Sequence, residues 1–398
     1  MIYSLEENYI DGEDSLTTIK VSNLNKDNTF GGRNITVSLG SSSFRTPIKT
    51  ATQKDYHAAS SLPHKITIQN PISEFVFDFN NSTLDAFTKG NGSLKNRRDA
   101  LLEQSLDIMR SHQLMSTVQF PSERRISQDE LMLFLLLQNT SILNIVSIPP
   151  FQYKDIGEFK KIIVDFNEKV KERKQQAMPI LPINQDKDSF VNEFSALREM
   201  HQNGICNVIG FQYTNPIEFS YNFLEIYKHK DEDIWYHCFG IPRTPRGKNQ
   251  TPVAHVHELQ NWGLDTFSPK VTQLGKKQVV YLIKKSESTQ PNELSCQRFD
   301  SPTLGILKEN LWKIRYNDDL HCNCPVCKGQ DMKNFKEKYS HELNGDFNPN
   351  LLRQADKVHE LVSGSEEFHN SMKAIESDDL HTYFKSKEFT KNRIEPPS

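Results

Sequence analysis

Apolar and polar residues alternate in parts of the N-terminal third of the chain, as they do in half-buried strands. The clearest case is residues 34–39, where every second residue is apolar. Residues 1–30 lack such a pattern and predict an irregular lead-in. The same reasoning predicts strands over residues 65–69 and 74–79, and a helix over residues 94–111.

From residue 142 onward the pattern becomes regular, with strand-like runs separated by stretches of helical spacing. A capping box at Ser127 and Glu130 starts the helix that precedes this region. The repeat has the size of a β-α-β unit. The predicted strands cover residues 142–148, 177–183, 205–211, 234–240 and 264–267, and the predicted helices cover 156–175, 188–202, 216–229 and 253–262.

Such a repeat is typical of a (β/α)8 TIM barrel or of a doubly wound sheet. No glycine-rich dinucleotide or phosphate-binding loop follows any of the strands, which favours the barrel. We therefore predict an α/β protein with a small C-terminal zinc-binding subdomain. The predicted domains are an irregular lead-in over residues 1–30, a barrel over 31–290, the zinc subdomain and a closing helix over 291–375, and a charged tail over 376–398.

Composition limits the classes of function. The formal charge of −3 means that any nucleic-acid binding must come from a local patch. The longest apolar run, Leu131–Leu137, is far shorter than the roughly 18 residues of a membrane span. The N-terminus is acidic and lacks the apolar core of a signal peptide. Together with clustered thiols, these features predict a cytoplasmic protein that does not enter a membrane.

The segment HCNCPVCKG places Cys322, Cys324 and Cys327 within six positions. Three thiolates this close suit a soft or borderline metal ion, because adjacent turns can aim them at one centre. Tetrahedral zinc needs a fourth ligand, and the downstream candidates are His341, His359 and His369. The alternative is a cluster of reduced thiols without metal.

A second candidate site is the loop GIPRTPRGK. Its cations Arg243, Arg246 and Lys248 predict binding of a phosphate or of a nucleic-acid backbone. The alternative is an ordinary solvated basic loop.

The Cys-x-Cys-Pro-x-Cys pattern after a predicted barrel, with a histidine on a following helix, resembles the guanine transglycosylase family. These are the queuine and archaeosine tRNA-ribosyltransferases and their DNA-modifying relatives. The resemblance implies a zinc-bearing barrel that exchanges guanine in tRNA or DNA for a 7-deazaguanine base. It favours His359 as the fourth zinc ligand, because that residue follows Leu351 and Leu352 on a helix. It also implies a homodimer, or a heterodimer with an active homologue.

The chain departs from the family where the family has its catalytic carboxylates. Ser268 stands at the position of the aspartate nucleophile that attacks the ribose. The second aspartate position falls on Thr83 and the third on Ser147. The base-binding glycine pair reads Gly210-Phe211, which places a bulky ring where open backbone is expected.

Three hypotheses follow. The chain is a transglycosylase-like enzyme with a rearranged site, whose carboxylates come from Asp85 and Asp265. Alternatively, it is a non-catalytic subunit that binds nucleic acid or an active homologue. Outside the family, it is a zinc-stabilised α/β protein of unrelated function.

Overall fold

The structure is a computed structural model. It describes residues 18–390 apart from 29, 65, 90–95, 100–102, 104–112, 122, 216–217, 244–253, 272–293 and 389. The chain begins with an antiparallel sheet of three strands, β1 (Ile19–Lys26), β2 (Arg33–Leu39) and β3 (Ser42–Arg45). The expectation of an irregular lead-in is therefore wrong for β1, because Ile19 is buried and the strand pairs with β2.

Nine strand segments, all paired in parallel, form a nearly closed, barrel-like sheet. The two segments nearest the N-terminus are separated only by Thr50, and they pair with opposite edges of the sheet. The segments are β4 (Ile48–Lys49), β5 (Ala51–Thr52), β6 (Ile72–Asp78), β7 (Gln113–Gln119), β8 (Ile145–Ile148), β9 (Gln176–Pro182), β10 (Val208–Gln212), β11 (Trp235–Ile241) and β12 (Thr266–Pro269).

All five strands predicted after residue 142 are present, each starting within three residues of its expected position. Residues 66–69 form no strand, because β5 pairs directly with β6 and leaves no place between them. The predicted helix over 94–111 lies mostly outside the described residues. The capping box is confirmed: Ser127 N–H donates to Glu130 Oε2 at 2.7 Å, and Glu130 N–H donates to Ser127 Oγ at 3.3 Å.

Helices follow the strands of the barrel-like sheet in alternation. Asp155 and Asp186 cap two of them by accepting a hydrogen bond from the backbone three residues on. The helices are α1 (Gln53–Ser61), α2 (Asn81–Thr88), α3 (Gln128–Leu137), α4 (Ile156–Lys171), α5 (Lys187–Gln202), α6 (Ser220–Lys228) and α7 (His255–Glu258), which continues as a 3-10 turn over Leu259–Trp262.

The N-terminal sheet closes one end of the barrel-like sheet. Its buried residues, such as Ile35 and Val37, pack on the first residues of successive strands. The strands finish at the other end, which this packing leaves uncovered. The strand residues in this contact are Ile72, Met115, Ile145, Met178, Val208 and Trp235.

The C-terminal part shares one apolar cluster with β5 and α1, and its hairpin and last two helices also contribute to the main core. It contains the hairpin β13 (Gln297–Asp300) and β14 (Gly305–Lys308), then α8 (Glu309–Tyr316), α9 (Met332–Lys338), α10 (Asn350–Glu376) and α11 (Leu380–Ser386). Helix α10 packs on both β4 and β13. No helix among the described residues is long and apolar enough to cross a membrane.

Candidate metal centre and the barrel mouth

Three thiols and one imidazole nitrogen converge in the C-terminal part. They belong to Cys322, Cys324, Cys327 and His359, and the four ligand atoms lie within 4.8 Å of one another. The Nδ1 of His359 is 3.4–3.5 Å from each sulfur. A tetrahedral zinc ion, with bonds of about 2.3 Å to sulfur and about 2.0 Å to nitrogen, separates these atoms by about 3.5 Å. The quartet therefore fits a metal ion such as zinc.

A tight turn brings the cysteines together. The carbonyl of Cys324 accepts hydrogen bonds from the backbone N–H groups of Cys327 and Lys328, each at 3.0 Å. Gly329 then adopts a φ of +73°, which favours glycine as the chain leaves the turn. Hydrogen bonds with Cys324 and Cys327 hold the pKa of the Cys322 thiol well below its usual value. Hydrogen bonds among the three thiols also raise the pKa of the Cys327 thiol, so without a metal the cluster favours the thiolate at Cys322 and the neutral thiol at Cys327.

His359 is buried on α10 and is held in a fixed orientation. Its Nε2 lies 2.8 Å from the carbonyl oxygen of Phe299 on β13. That bond places the proton on Nε2 and directs the Nδ1 lone pair at the thiols. The other two candidates are elsewhere: His341 bridges to Phe347, and His369 is exposed further along α10.

Arg298 connects the thiols to α10. Its Nη2 donates to Cys327 Sγ at 2.7 Å, and its Nη1 donates to Asp356 Oδ1 at 2.9 Å. Its guanidinium also lies over the ring of Phe335, 4.1 Å from the centroid. A metal site with three thiolates carries excess negative charge, and this buried cation offsets part of it.

The structure places Asp265 in a buried ion pair rather than in an open cleft. Its Oδ1 lies 2.9 Å from Arg33 Nε, and its Oδ2 accepts a 2.7 Å hydrogen bond from Tyr236 N–H. Burial raises the pKa of Asp265 to about 7, although Arg33 opposes the shift. Since Asp265 directly precedes β12, it lies at the end closed by the N-terminal sheet. Its observed role is to hold Arg33 of β2 against the barrel.

Asp85 lies on α2, where its half-exposed carboxylate pairs with Arg124 at 2.6 Å. Asp85 and Asp265 share no partner among the described contacts. The structure therefore does not bring the two aspartates into one site.

A different carboxylate stands at the mouth of the barrel-like sheet. Asp78 is the last residue of β6 and is partly exposed. Gln119, at the same end of β7, donates to Asp78 Oδ1 at 3.3 Å. The negative charge of Asp78 also acts on Lys54 and on Arg97. Sequence reasoning passed over Asp78, although its place at the end of the predicted strand over 74–79 was the available signal.

Ser268 lies deep inside the sheet beside Glu74, and neither side chain is exposed. Thr50 Oγ1 donates to Glu74 Oε2 at 2.9 Å, and His237 Nε2 lies 3.5 Å from the same oxygen. Burial is the largest effect and raises the pKa of Glu74, but the charge of His237 and the hydrogen bonds with His237, Thr117 and Ser268 together outweigh it, so the net shift is downward. This cluster is a closed polar core rather than an accessible nucleophile.

Two further departures from the family have packing roles. Ser147 Oγ accepts a 3.0 Å hydrogen bond from Val118 N–H and lies 3.0 Å from Gln138 Oε1. The Phe211 ring packs with Phe194 and Tyr236. The expectation that this ring obstructs a base-binding turn is therefore not supported.

Only Arg243 of the three predicted loop cations lies within the described residues; Arg246 and Lys248 lie outside them. Arg243 Nε pairs with Glu360 Oε2 at 2.5 Å, and its Nη2 donates to the carbonyl of Gln297 at 2.7 Å. Lys49 reaches the other oxygen of Glu360 at 3.1 Å. Burial raises the pKa of Glu360, but these two cations lower it to about 2.

Comparison with protein-family models and with curated proteins finds no match to this chain.

Proposed function

We propose that this chain is a (β/α)8-barrel protein with a structural zinc ion, of the guanine transglycosylase type. In this proposal β4 and β5 count as one strand interrupted at Thr50, which gives eight strands. The observation that carries the proposal is the Cys3His quartet in the C-terminal part, with its histidine on the helix that packs on β4 at the sheet's seam. Three thiolates and an imidazole fill the four positions of a tetrahedral zinc ion and leave none for a substrate. The zinc therefore stabilises the fold, and the reaction takes place at another site.

The proposed chemistry is exchange of guanine for a 7-deazaguanine base in tRNA or DNA, in the cytoplasm. Asp78 takes the catalytic position that the sequence analysis gave to Asp85 and Asp265. A carboxylate at the strand ends can attack or stabilise the ribose carbon from which a base departs. Lys54 and Arg97 favour its ionised form and add positive charge for a nucleic-acid backbone.

The test is incorporation of labelled guanine into tRNA and into DNA, with covalent adducts followed on denaturing gels. Asp78→Asn should abolish both signals, whereas Asp85→Asn should keep them. Exchange that survives Asp78→Asn, or that is lost equally in Asp85→Asn, would contradict the assignment. Absence of exchange by the wild-type chain in both nucleic acids would remove the enzymatic proposal.

A non-catalytic subunit is the second candidate, favoured by the buried position of Ser268. This chain would then bind nucleic acid or form a heterodimer with an active homologue. In that case the chain alone should show no guanine exchange, and adding the chain to that homologue should increase the homologue's exchange. Self-association, measured by light scattering, distinguishes a homodimer from this arrangement.

A further inference from the structure

A cavity of about 470 Å³ lies between the barrel-like sheet and α10. Two of its walls come from the carboxyl ends of neighbouring strands. Ile241 and Pro269 are the last residues of β11 and β12, and Arg243 and Lys270 follow them. The opposite wall is the first half of α10. This volume is in the range of pockets that hold small molecules.

The lining is rich in positive charge. It contains five cations, Lys49, Arg243, Lys270, Arg353 and Lys357, and three carboxylates, Asp55, Asp356 and Glu360. The carboxylates neutralise these cations only in part, because Asp356 already pairs with Arg298, which lies outside the lining. Glu360 is shared by Lys49 and Arg243, and Asp55 pairs with Lys357 at 3.5 Å.

The two remaining cations face the cavity from opposite sides. Lys270 and Arg353 are exposed, one on the strand side and one on α10. Glu360 holds Lys49 and Arg243 in fixed positions between them. In a (β/α)8 barrel the loops after the seventh and eighth strands are a recurrent phosphate-binding position, and β11 and β12 are those strands here.

We propose that this cavity binds the phosphate group of a ligand, with Lys270 and Arg353 as its direct contacts. The proposal rests on the barrel assigned under the proposed function and not on base exchange. Arginine offers paired donors to phosphate oxygens, and lysine adds a compact charge. The apolar side chains of Ile241 and Pro269 form a wall for the rest of the ligand. The phosphate belongs either to a free diphosphate compound or to the end of a nucleic acid.

Isothermal titration calorimetry tests the site with two probes: pyrophosphate, and a short single-stranded oligonucleotide carrying a 5′-phosphate. Lys270→Gln and Arg353→Gln should each weaken binding of the preferred probe about tenfold, because each removes a charged hydrogen bond. Lys373→Gln is the matched control, since it removes one exposed charge near the far end of α10. A 5′-hydroxyl oligonucleotide controls for the phosphate itself.

Tighter binding of pyrophosphate supports a free ligand, and tighter binding of the 5′-phosphorylated strand supports a nucleic-acid end. If neither probe binds saturably, the proposal is overturned. It is also overturned if Lys373→Gln weakens probe binding as much as the two cavity variants do. Absence of guanine exchange by the wild-type chain would remove the proposed chemistry and leave this binding result unaffected, so the two proposals fail separately.

Discussion

Arg298 donates a 2.7 Å hydrogen bond to the Sγ of Cys327, and neither residue is exposed to solvent to any appreciable extent. The same guanidinium pairs with Asp356 on α10. One buried cation thus joins a predicted metal ligand to the helix that supplies the histidine ligand.

Replacing Arg298 by Gln should weaken metal binding by about 10- to 100-fold, the usual effect of losing a partner that orients a ligand. Arg298→Lys should not restore it, since one ammonium group cannot reproduce the planar pair of contacts to Cys327 and Asp356. The measurement is the rate of zinc transfer to a chromogenic chelator. Arg315→Gln is the control, because Arg315 pairs with Glu388 away from the thiols. Equal transfer rates for all variants would contradict a role for Arg298.

Elemental analysis should find about one zinc ion per wild-type chain, and His359→Ala should lose it. His369→Ala, on the exposed side of the same helix, should keep it. His359→Cys should retain metal, since four thiolates also form structural zinc sites. Retention of full metal content by His359→Ala would show that the fourth ligand is a different residue.

The ion pairs of Glu360 should make the stability of the fold sensitive to acid. Its pKa is lowered to about 2 in the folded chain from an ordinary value of 4.5, so its ion pairs stabilise the fold above pH 4.5. This contribution, about 3 kcal/mol, is lost as the pH falls from 4.5 toward 2. Glu360→Gln should therefore unfold at lower denaturant concentration than wild type at pH 6, with the gap narrowing below pH 4.5. A gap that is constant with pH would refute the assignment.

Placing an aspartate at Ser268, the position that the resemblance to the guanine transglycosylases aligns with their nucleophile, should not create activity. Ser268→Asp would bury a second carboxylate beside Glu74 and should destabilise the chain by about 3 kcal/mol. Ser268→Ala should be close to neutral. Urea unfolding of the two variants distinguishes these outcomes. Unchanged stability in Ser268→Asp would mean that the interior is open to solvent.

Much of the fold was predictable because strand and helix periodicity is local. The strands after residue 142 and the cysteine turn were visible for this reason. The role of Asp265 was not, because it depends on Arg33, a partner distant in sequence. The alternation of apolar and polar residues shows which face of a strand a residue occupies. It does not show which end of a barrel another part of the chain closes. Asp78 was missed for a different reason: the predicted strand ran to residue 79 and so placed Asp78 inside it, whereas β6 ends at Asp78.

The two ends of the described chain are tied together. Asn28 N–H donates to Asp378 Oδ1 at 2.7 Å across 350 positions, and Leu380 N–H donates to Asp27 Oδ2 at 3.0 Å. During synthesis, the segment between β1 and β2 therefore gains these partners only after residue 380 has left the ribosome. Since contacts distant in sequence form slowly, the seam between β4 and β12 remains an unpaired edge for much of this time. Stop codons that remove α11 should thus reduce the yield of folded protein, even though every metal ligand remains encoded.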